Sequence, residues 1–211
     1  MSVLVEKPKK VYVERTLRIL HVSDMHCATD SLAKVLMREE YDLVIATGDF
    51  ECVDTAEVLA RARGEVYAVT GNMDNPAIYR KLNNMGILID GKIVIYEDLA
   101  IGGIGGLDFK GSMSRLEKEL KEFNKIDILV THHPPKGILD EPRPGYHIGL
   151  EDLKKLVGLV NPKLHLFGHV HEEQGHVVKG GTVYVNSGPL IQGYYTVIIY
   201  SSNITVHKRK I

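Results

Sequence analysis

Five short apolar runs, at residues 17–22, 42–47, 65–70, 126–131 and 163–167, each end in a cluster of histidine, aspartate or asparagine, and this coupling constrains the chain more than any other feature. Short apolar runs bounded by polar residues read as buried strands. Helical patterning lies between them. A helix over 31–38 has Thr29 or Asp30 as its expected N-cap, and Asp54 with Glu57 has capping-box spacing for a helix reaching about residue 63. Asn75 caps a third helix, with Pro76 in its first turn, and two more are expected over 114–124 and 151–157. Residues 87–106 are β-rich with a turn at Asp90-Gly91, and the C-terminal part reads as short strands with a hairpin turn at Gly180-Gly181. Strands alternating with helices, then a run of strands, predict a layered α/β fold built on mixed sheets.

At 211 residues the chain is expected to be one domain over 1–211, with 1–14 as an N-terminal arm. The net charge of −1 argues against bulk-charge binding to nucleic acid, and Lys7, Lys9 and Lys10, split by Pro8, make a poor membrane patch. No apolar run reaches the roughly 18 residues of a membrane span, and early charge argues against a signal peptide. Cys27 and Cys52 are the only cysteines, so neither a disulfide framework nor a four-cysteine zinc site can be built; both are expected to be small buried hydrophobes. The sequence thus predicts a cytoplasmic protein acting on a small molecule away from membranes, and leaves a homo-oligomer open.

Asp24 and His26 follow the first run, Asp49 the second, Asn72 and Asp74 the third, His132 and His133 the fourth, and His169 and His171 the fifth. Ligands of open α/β sheets bind beyond the carboxyl ends of the strands, so these clusters are expected to converge in one crevice. Their nitrogen and oxygen donors, without thiolate, suit Mn, Fe, Zn, Ni or Co. Asp24, His26, Asp49, Asn72, His132, His169 and His171 are too many ligands for one catalytic ion. They suit two ions sharing a carboxylate, a device of phosphoryl chemistry.

The motifs Asp24-Met25-His26, Gly48-Asp49, Gly71-Asn72-Met73-Asp74, His132-His133-Pro134-Pro135 and Gly168-His169-Val170-His171 stand in the order of the calcineurin-like metallophosphoesterase family, which the chain resembles from residue 21 to 171. The tail, with Glu172, Gly175 and Asn186 to Leu190, resembles a prokaryotic branch of small single-domain members. The resemblance implies an αββα-type sandwich with the metal site at the strand C-terminal ends. It implies a phosphoester hydrolase with a metal-bridging hydroxide as nucleophile and two divalent ions, Mn favoured. Asp24, His26 and His171 are then expected to hold one ion and Asn72, His132 and His169 the other, with Asp49 bridging. The family form His-x-Pro-Pro assigns the metal to His132 over His133.

The family's histidine after Gly-Asn is Met73 here, and methionine cannot donate a proton. This favours phosphodiesters or activated monoesters over poor leaving groups, and leaves His133 and His147, on the proline-stiffened loop 134–149, as candidate catalytic acids. The glycine run 102–106 has neither P-loop nor dinucleotide spacing and reads as close backbone packing under the site. His21, His165, His176 and His207 read as ordinary core or surface residues. The competing function is a non-catalytic protein-interaction scaffold on the same fold, a role of the family's retromer subunit; such scaffolds have eroded metal sites.

Overall fold

Apolar side chains line both faces of β1 (Leu17–Val22), so this strand needs cover on both sides, and it lies at the centre of a five-stranded sheet. The computed structural model describes residues 16–123 and 125–211; the arm expected over 1–14 and the last residue of the expected 114–124 helix lie outside them. β2 (Leu43–Ala46) and β3 (Glu65–Ala68) run parallel to β1, connected through α1 (Thr29–Arg38) and α2 (Val53–Leu59). On the other side of β1, β10 (Tyr194–Tyr200) and β11 (Thr205–Lys210) pair antiparallel. The second sheet has the order β4 (Ile93–Tyr96), β5 (Leu99–Ile104), β6 (Ile128–Thr131), β7 (Leu164–Phe167), β9 (Thr182–Asn186) and β8 (Gly175–Lys179). β5, β6, β7 and β9 are parallel, and β4 and β8 are antiparallel edges.

The sheets face each other across a buried layer in which Ile19, Ile45 and Val69 meet Ile101, Ile128, Val130 and Leu166. α1, α2 and α3 (Pro76–Asn84) cover the outer face of the first sheet with Leu32, Val35, Ile78 and Leu82. α4 (Phe109–Phe123) and α5 (Glu151–Val160) cover the second with Leu116, Leu153 and Leu156. The architecture is the expected αββα sandwich. No helix among the described residues is long and apolar enough to cross a membrane.

Asn75 caps α3 as expected, its Oδ1 accepting from the amides of Ala77 (2.8 Å) and Ile78 (3.3 Å). The other two caps differ from expectation. α1 starts at Thr29 behind Ala28 with no side-chain cap, because the Thr29 hydroxyl bonds the Cys27 carbonyl instead. α2 starts at Val53 without a capping box, because Glu57 pairs with Lys81 of α3. α4 starts earlier than expected because Asp108 Oδ1 accepts from the Gly111 amide (3.1 Å).

Cys27 and Cys52 are not separate buried hydrophobes. They form a disulfide with Cα atoms 5.1 Å apart, and Cys27 is exposed. The reason lies in the register: parallel β1 and β2 place Val22 beside Ala46, so the segments leaving both strands travel together. A cross-link spanning 25 residues restricts the unfolded chain, an effect of about 3–4 kcal/mol on a chain-entropy account.

Candidate metal centre

Residues in left-handed backbone conformation mark where the strands end. Asp24 (φ 48°), His26 (41°), Cys27 (61°), Asp49 (55°), Glu51 (59°) and His169 (72°) all adopt it without being glycine. Each such residue costs about 1–3 kcal/mol and persists only where its surroundings fix it. Here the loops fix one another. The amides of His26 and Cys27 donate to the carbonyls of Asp49 (2.9 Å) and Phe50 (3.1 Å), and the His169 amide donates to both Asp24 oxygens (3.1 and 3.0 Å). Gly48 (φ 93°) lies so close to the Gly71 backbone that a Cβ there would sit 2.6 Å from the Gly71 Cα. A Cβ on Gly106 would lie 2.7 Å from the Asn72 amide nitrogen and 3.0 Å from His132 Cδ2, so the end of the glycine run abuts the ligand loops.

These loops bring together the seven side chains singled out by the sequence. Ligand atoms of Asp24, His26 and His171 lie within 4.8 Å of one another, as do those of Asp24, Asp49 and His132. His26 Nε2 and His171 Nε2 are 3.4 Å apart, and His171 Nε2 is 3.4 Å from Asp24 Oδ1. In the neighbouring group, His132 Nε2 lies 2.7 Å from Asn72 Oδ1 and 3.5 Å from Asp49 Oδ2. Asp49 Oδ2 is also 4.0 Å from His26 Nε2, so this carboxylate stands between the groups. His132 and His169 stack edge to face at 5.0 Å between centroids.

Tautomers decide what these contacts mean. His26 donates from Nδ1 to Glu51 Oε1 (3.0 Å), and His132 donates from Nδ1 to the Thr47 carbonyl (2.7 Å). In the neutral rings Nε2 then carries a lone pair. Each Nε2 faces another ligand atom, and for His132 that atom is the Asn72 carbonyl oxygen, which cannot donate. Two ligands each about 2.1 Å from one ion lie about 3.0–3.4 Å apart. The donor set and its spacing fit divalent cations of intermediate hardness.

Burial raises the Asp24 carboxyl, but the hydrogen bond to His171, the charge of His132, and bonds from Ser23 and the His169 amide outweigh it and lower its pKa to about 2. Asp24 is therefore a carboxylate at any ordinary pH. Burial, reinforced by the charge of His132, lowers His169 to about 4, which keeps its ring a neutral donor. The bond to Asp24 raises His171.

The sequence reading gave Glu51 no part in the site, placed Asp74 only in the third cluster and Asp90 only in a turn. Glu51 fixes the His26 tautomer. Asp74 accepts from the amides of Gly71 (2.8 Å) and Glu51 (2.9 Å), tying the third loop to the second. Asp90 accepts from the Thr70 amide (3.0 Å) and hydroxyl (2.6 Å) just before Gly71-Asn72. Asp90 stands beside Gly91, whereas Glu51 and Asp74 offered no signal beyond lying two residues past Asp49 and Asn72. Of the two candidate acids, His133 packs at 5.0 Å from His132 and 4.6 Å from His169 between ring centroids. Burial, then the charges of His132 and His169, lowers it to about 3, and its Nδ1 is buried without a hydrogen-bond partner. His147 instead pairs with Asp140 (2.8 Å) and Glu141 (3.4 Å), while Asp140 also accepts from the Gly137 and Gly149 amides, clasping the loop. Met73 is 57% exposed and its amide donates to Asp49 Oδ1 (2.9 Å). His21 and His165 are core residues bonded to the Thr47 and Thr131 hydroxyls.

A two-sheet sandwich with histidine and carboxylate ligands at its strand ends defines a metallophosphoesterase-type fold. Residues 17–200 match the calcineurin-like phosphoesterase superfamily domain, and the chain belongs to that superfamily. Among curated proteins, human metallophosphoesterase domain-containing protein 1 is 42% identical over 74 residues, a match covering 34% of this chain and 23% of the human protein. The matched stretch thus spans about a quarter of that relative. Among solved structures, the Thermus thermophilus protein TT1561 superposes with a TM-score of 0.70 at 18% identity, covering 90% of this chain and 99% of its own. An archaeal phosphodiesterase gives 0.56 at 17% identity, covering 92% and 100%. Vacuolar protein sorting 29 from Cryptosporidium parvum gives 0.52 at 14%, covering 93% and 99%. At these identities the three structures share the fold.

Proposed function

We propose that this chain is a phosphoesterase that hydrolyses a small phosphodiester at a two-ion centre. Convergence of the seven nitrogen and oxygen side chains into overlapping clusters, which Asp24, Asp49 and His132 join, carries the reading. In it, Asp24, His26 and His171 hold one divalent ion, and Asn72, His132 and His169 the other. The candidate ions are Mn, Fe, Zn, Ni and Co, with Mn2+ the first choice. Two such ions supply charge neutralisation for the phosphoryl oxygens and acidify the attacking water.

The side chains supply the rest. Asp49 sits between the groups and fixes their separation. Glu51 and the Thr47 carbonyl hold His26 and His132 in the tautomers that turn lone pairs inward. His133 is the proposed donor to the leaving oxygen. As a neutral imidazole it can donate a hydrogen bond but carries no spare acidic proton, and Met73 adds none. Diesters and activated monoesters are therefore favoured. His147 is proposed to act through the loop that it clasps with Asp140.

The test is metal content after purification, together with hydrolysis of bis-p-nitrophenyl phosphate with added Mn2+. About two ions per chain with turnover supports the reading. No uptake and no turnover with any divalent ion of the set refutes it and leaves the scaffold function.

A further inference from the structure

Cys27 directly follows the ligand His26, and Cys52 directly follows Glu51, the residue that holds His26 by Nδ1. The disulfide is thus the covalent half of a clasp whose other half is the His26–Glu51 hydrogen bond. Both segments are held in left-handed backbone at His26, Cys27 and Glu51. Other bonds also join the two loops: the amides of Asp24, His26 and Cys27 donate to the carbonyls of Gly48, Asp49 and Phe50, and the Thr29 and Thr55 hydroxyls meet at 3.2 Å. Cys27 is exposed and Cys52 half-buried, so an external thiol can reach the bond. The second ligand group leans on this clasp far less. His132 is anchored to the Thr47 carbonyl, and Asn72 follows Gly71, whose amide is held by Asp74.

We propose that Cys27–Cys52 is a thiol-exchange site through which a dithiol reductant sets the affinity of the Asp24–His26–His171 ion position. The step is balanced. One thiolate of the dithiol attacks a cysteine sulfur and expels the other cysteine, and its second thiol then resolves the mixed disulfide. Two protein thiols and one oxidised dithiol result. With the cross-link open, the His26–Glu51 arm relaxes and its ion position weakens, while the Asn72–His132–His169 position persists. This inference rests on the two-ion reading above.

The experiment compares oxidised protein with protein reduced by dithiothreitol and desalted anaerobically. Alkylation and intact mass count free thiols, hydrogen exchange follows the amides of residues 25–29 and 50–53, and Mn2+ titration against a chelator gives two affinities. The expected result is two new thiols in the folded protein, faster exchange in those two segments, and one Mn2+ affinity weakened about tenfold or more. Re-oxidation with a small disulfide should restore all three. The Cys27→Ser/Cys52→Ser variant, checked for folding by circular dichroism, should match the reduced protein and ignore dithiothreitol. Thiols that emerge only on denaturation, unchanged exchange, unchanged affinities, or equal weakening of both ions overturns the proposal. Oxidised protein that binds neither Mn2+ nor any other ion of the set overturns the two-ion reading and the control of affinity with it; the exchange measurement, which needs no metal, still judges whether the disulfide holds the arm.

Discussion

Removing the Glu51 carboxylate tests whether the site depends on residues outside the ligand set. Glu51 Oε1 accepts from His26 Nδ1 at 3.0 Å, and the Glu51 amide donates to Asp74, which is not one of the proposed ligands. Outer partners of metal-bound histidines are worth about 10–100-fold in metal affinity, or about 1.4–2.8 kcal/mol at 1.4 kcal/mol per tenfold. The Glu51 side chain is 34% exposed, so water can replace part of the lost bond, and the lower end applies. Glu51→Ala should weaken one ion about tenfold and leave the other nearly unchanged. Glu51→Gln, which keeps an acceptor oxygen but loses the charge, should fall between parent and Ala. The assay is titration of metal-free protein with Mn2+ in competition with a fluorescent chelator, fitted to two sites. Equal loss at both sites, or no loss in a folded Ala variant, refutes the claim that Glu51 acts by orienting His26.

Asp49→Ala should release both ions in a stoichiometry measurement, whereas His171→Ala should release one; the reverse order contradicts a bridging role for Asp49. Met73→His should raise phosphomonoesterase relative to diesterase kcat/KM, and an unchanged ratio with metals retained means this position does not select leaving groups. His133→Ala should slow poor leaving groups while sparing activated ones, by about tenfold or more for a lost hydrogen bond to the developing charge; a plot of log kcat against leaving-group pKa with unchanged slope refutes it. Burial, only partly offset by the Thr70 bonds, raises Asp90 from 3.8 to about 6. The fold therefore favours its protonated form: this stability is full below about pH 4 and lost as pH rises through about 6, a loss of roughly 3 kcal/mol by neutral pH. Asp90→Asn should remove that loss, so the Tm of the variant should gain on the parent between pH 4 and 7; a constant gap rejects the assignment.

The sandwich and the clustering of the seven candidate ligands were legible because both follow from one pattern. A strand buried on both faces is largely apolar, so 17–22 and 126–131 stand out, and the polar residues where the runs stop lie beyond the carboxyl ends of the parallel strands of the two sheets. What the sequence hid depends on register between elements. Nothing local says that Cys27 meets Cys52 or that Glu51 meets His26; both follow from Val22 lying beside Ala46. The missing capping box at Asp54 has the same origin, since a side chain on α3 takes Glu57 away from its own helix terminus. His133 and His147 looked alike as loop imidazoles. Packing separates them, one against His132 and His169 and the other against two carboxylates.

Why these loops carry so much strained backbone follows from where the candidate ligands come from. Asp24, His26, Asp49 and Asn72 leave the first sheet, and His132, His169 and His171 leave the second, so either proposed ion position draws on both. Apolar packing fixes the separation of two sheets but is non-directional and tolerates sliding. Directional bonds across the gap prevent it: His132 Nδ1 to the Thr47 carbonyl (2.7 Å), the His169 amide to Asp24, the Gly106 amide to the Thr70 carbonyl (2.6 Å), and the Ser187 hydroxyl to the His21 carbonyl (3.0 Å). Reaching these partners forces Asp24 and His169 into left-handed turns and demands glycine where the loops touch at Gly48 and Gly106. The strain is then the consequence of bringing side chains from two sheets to one place, with the disulfide adding a covalent link between the two loops that leave β1 and β2.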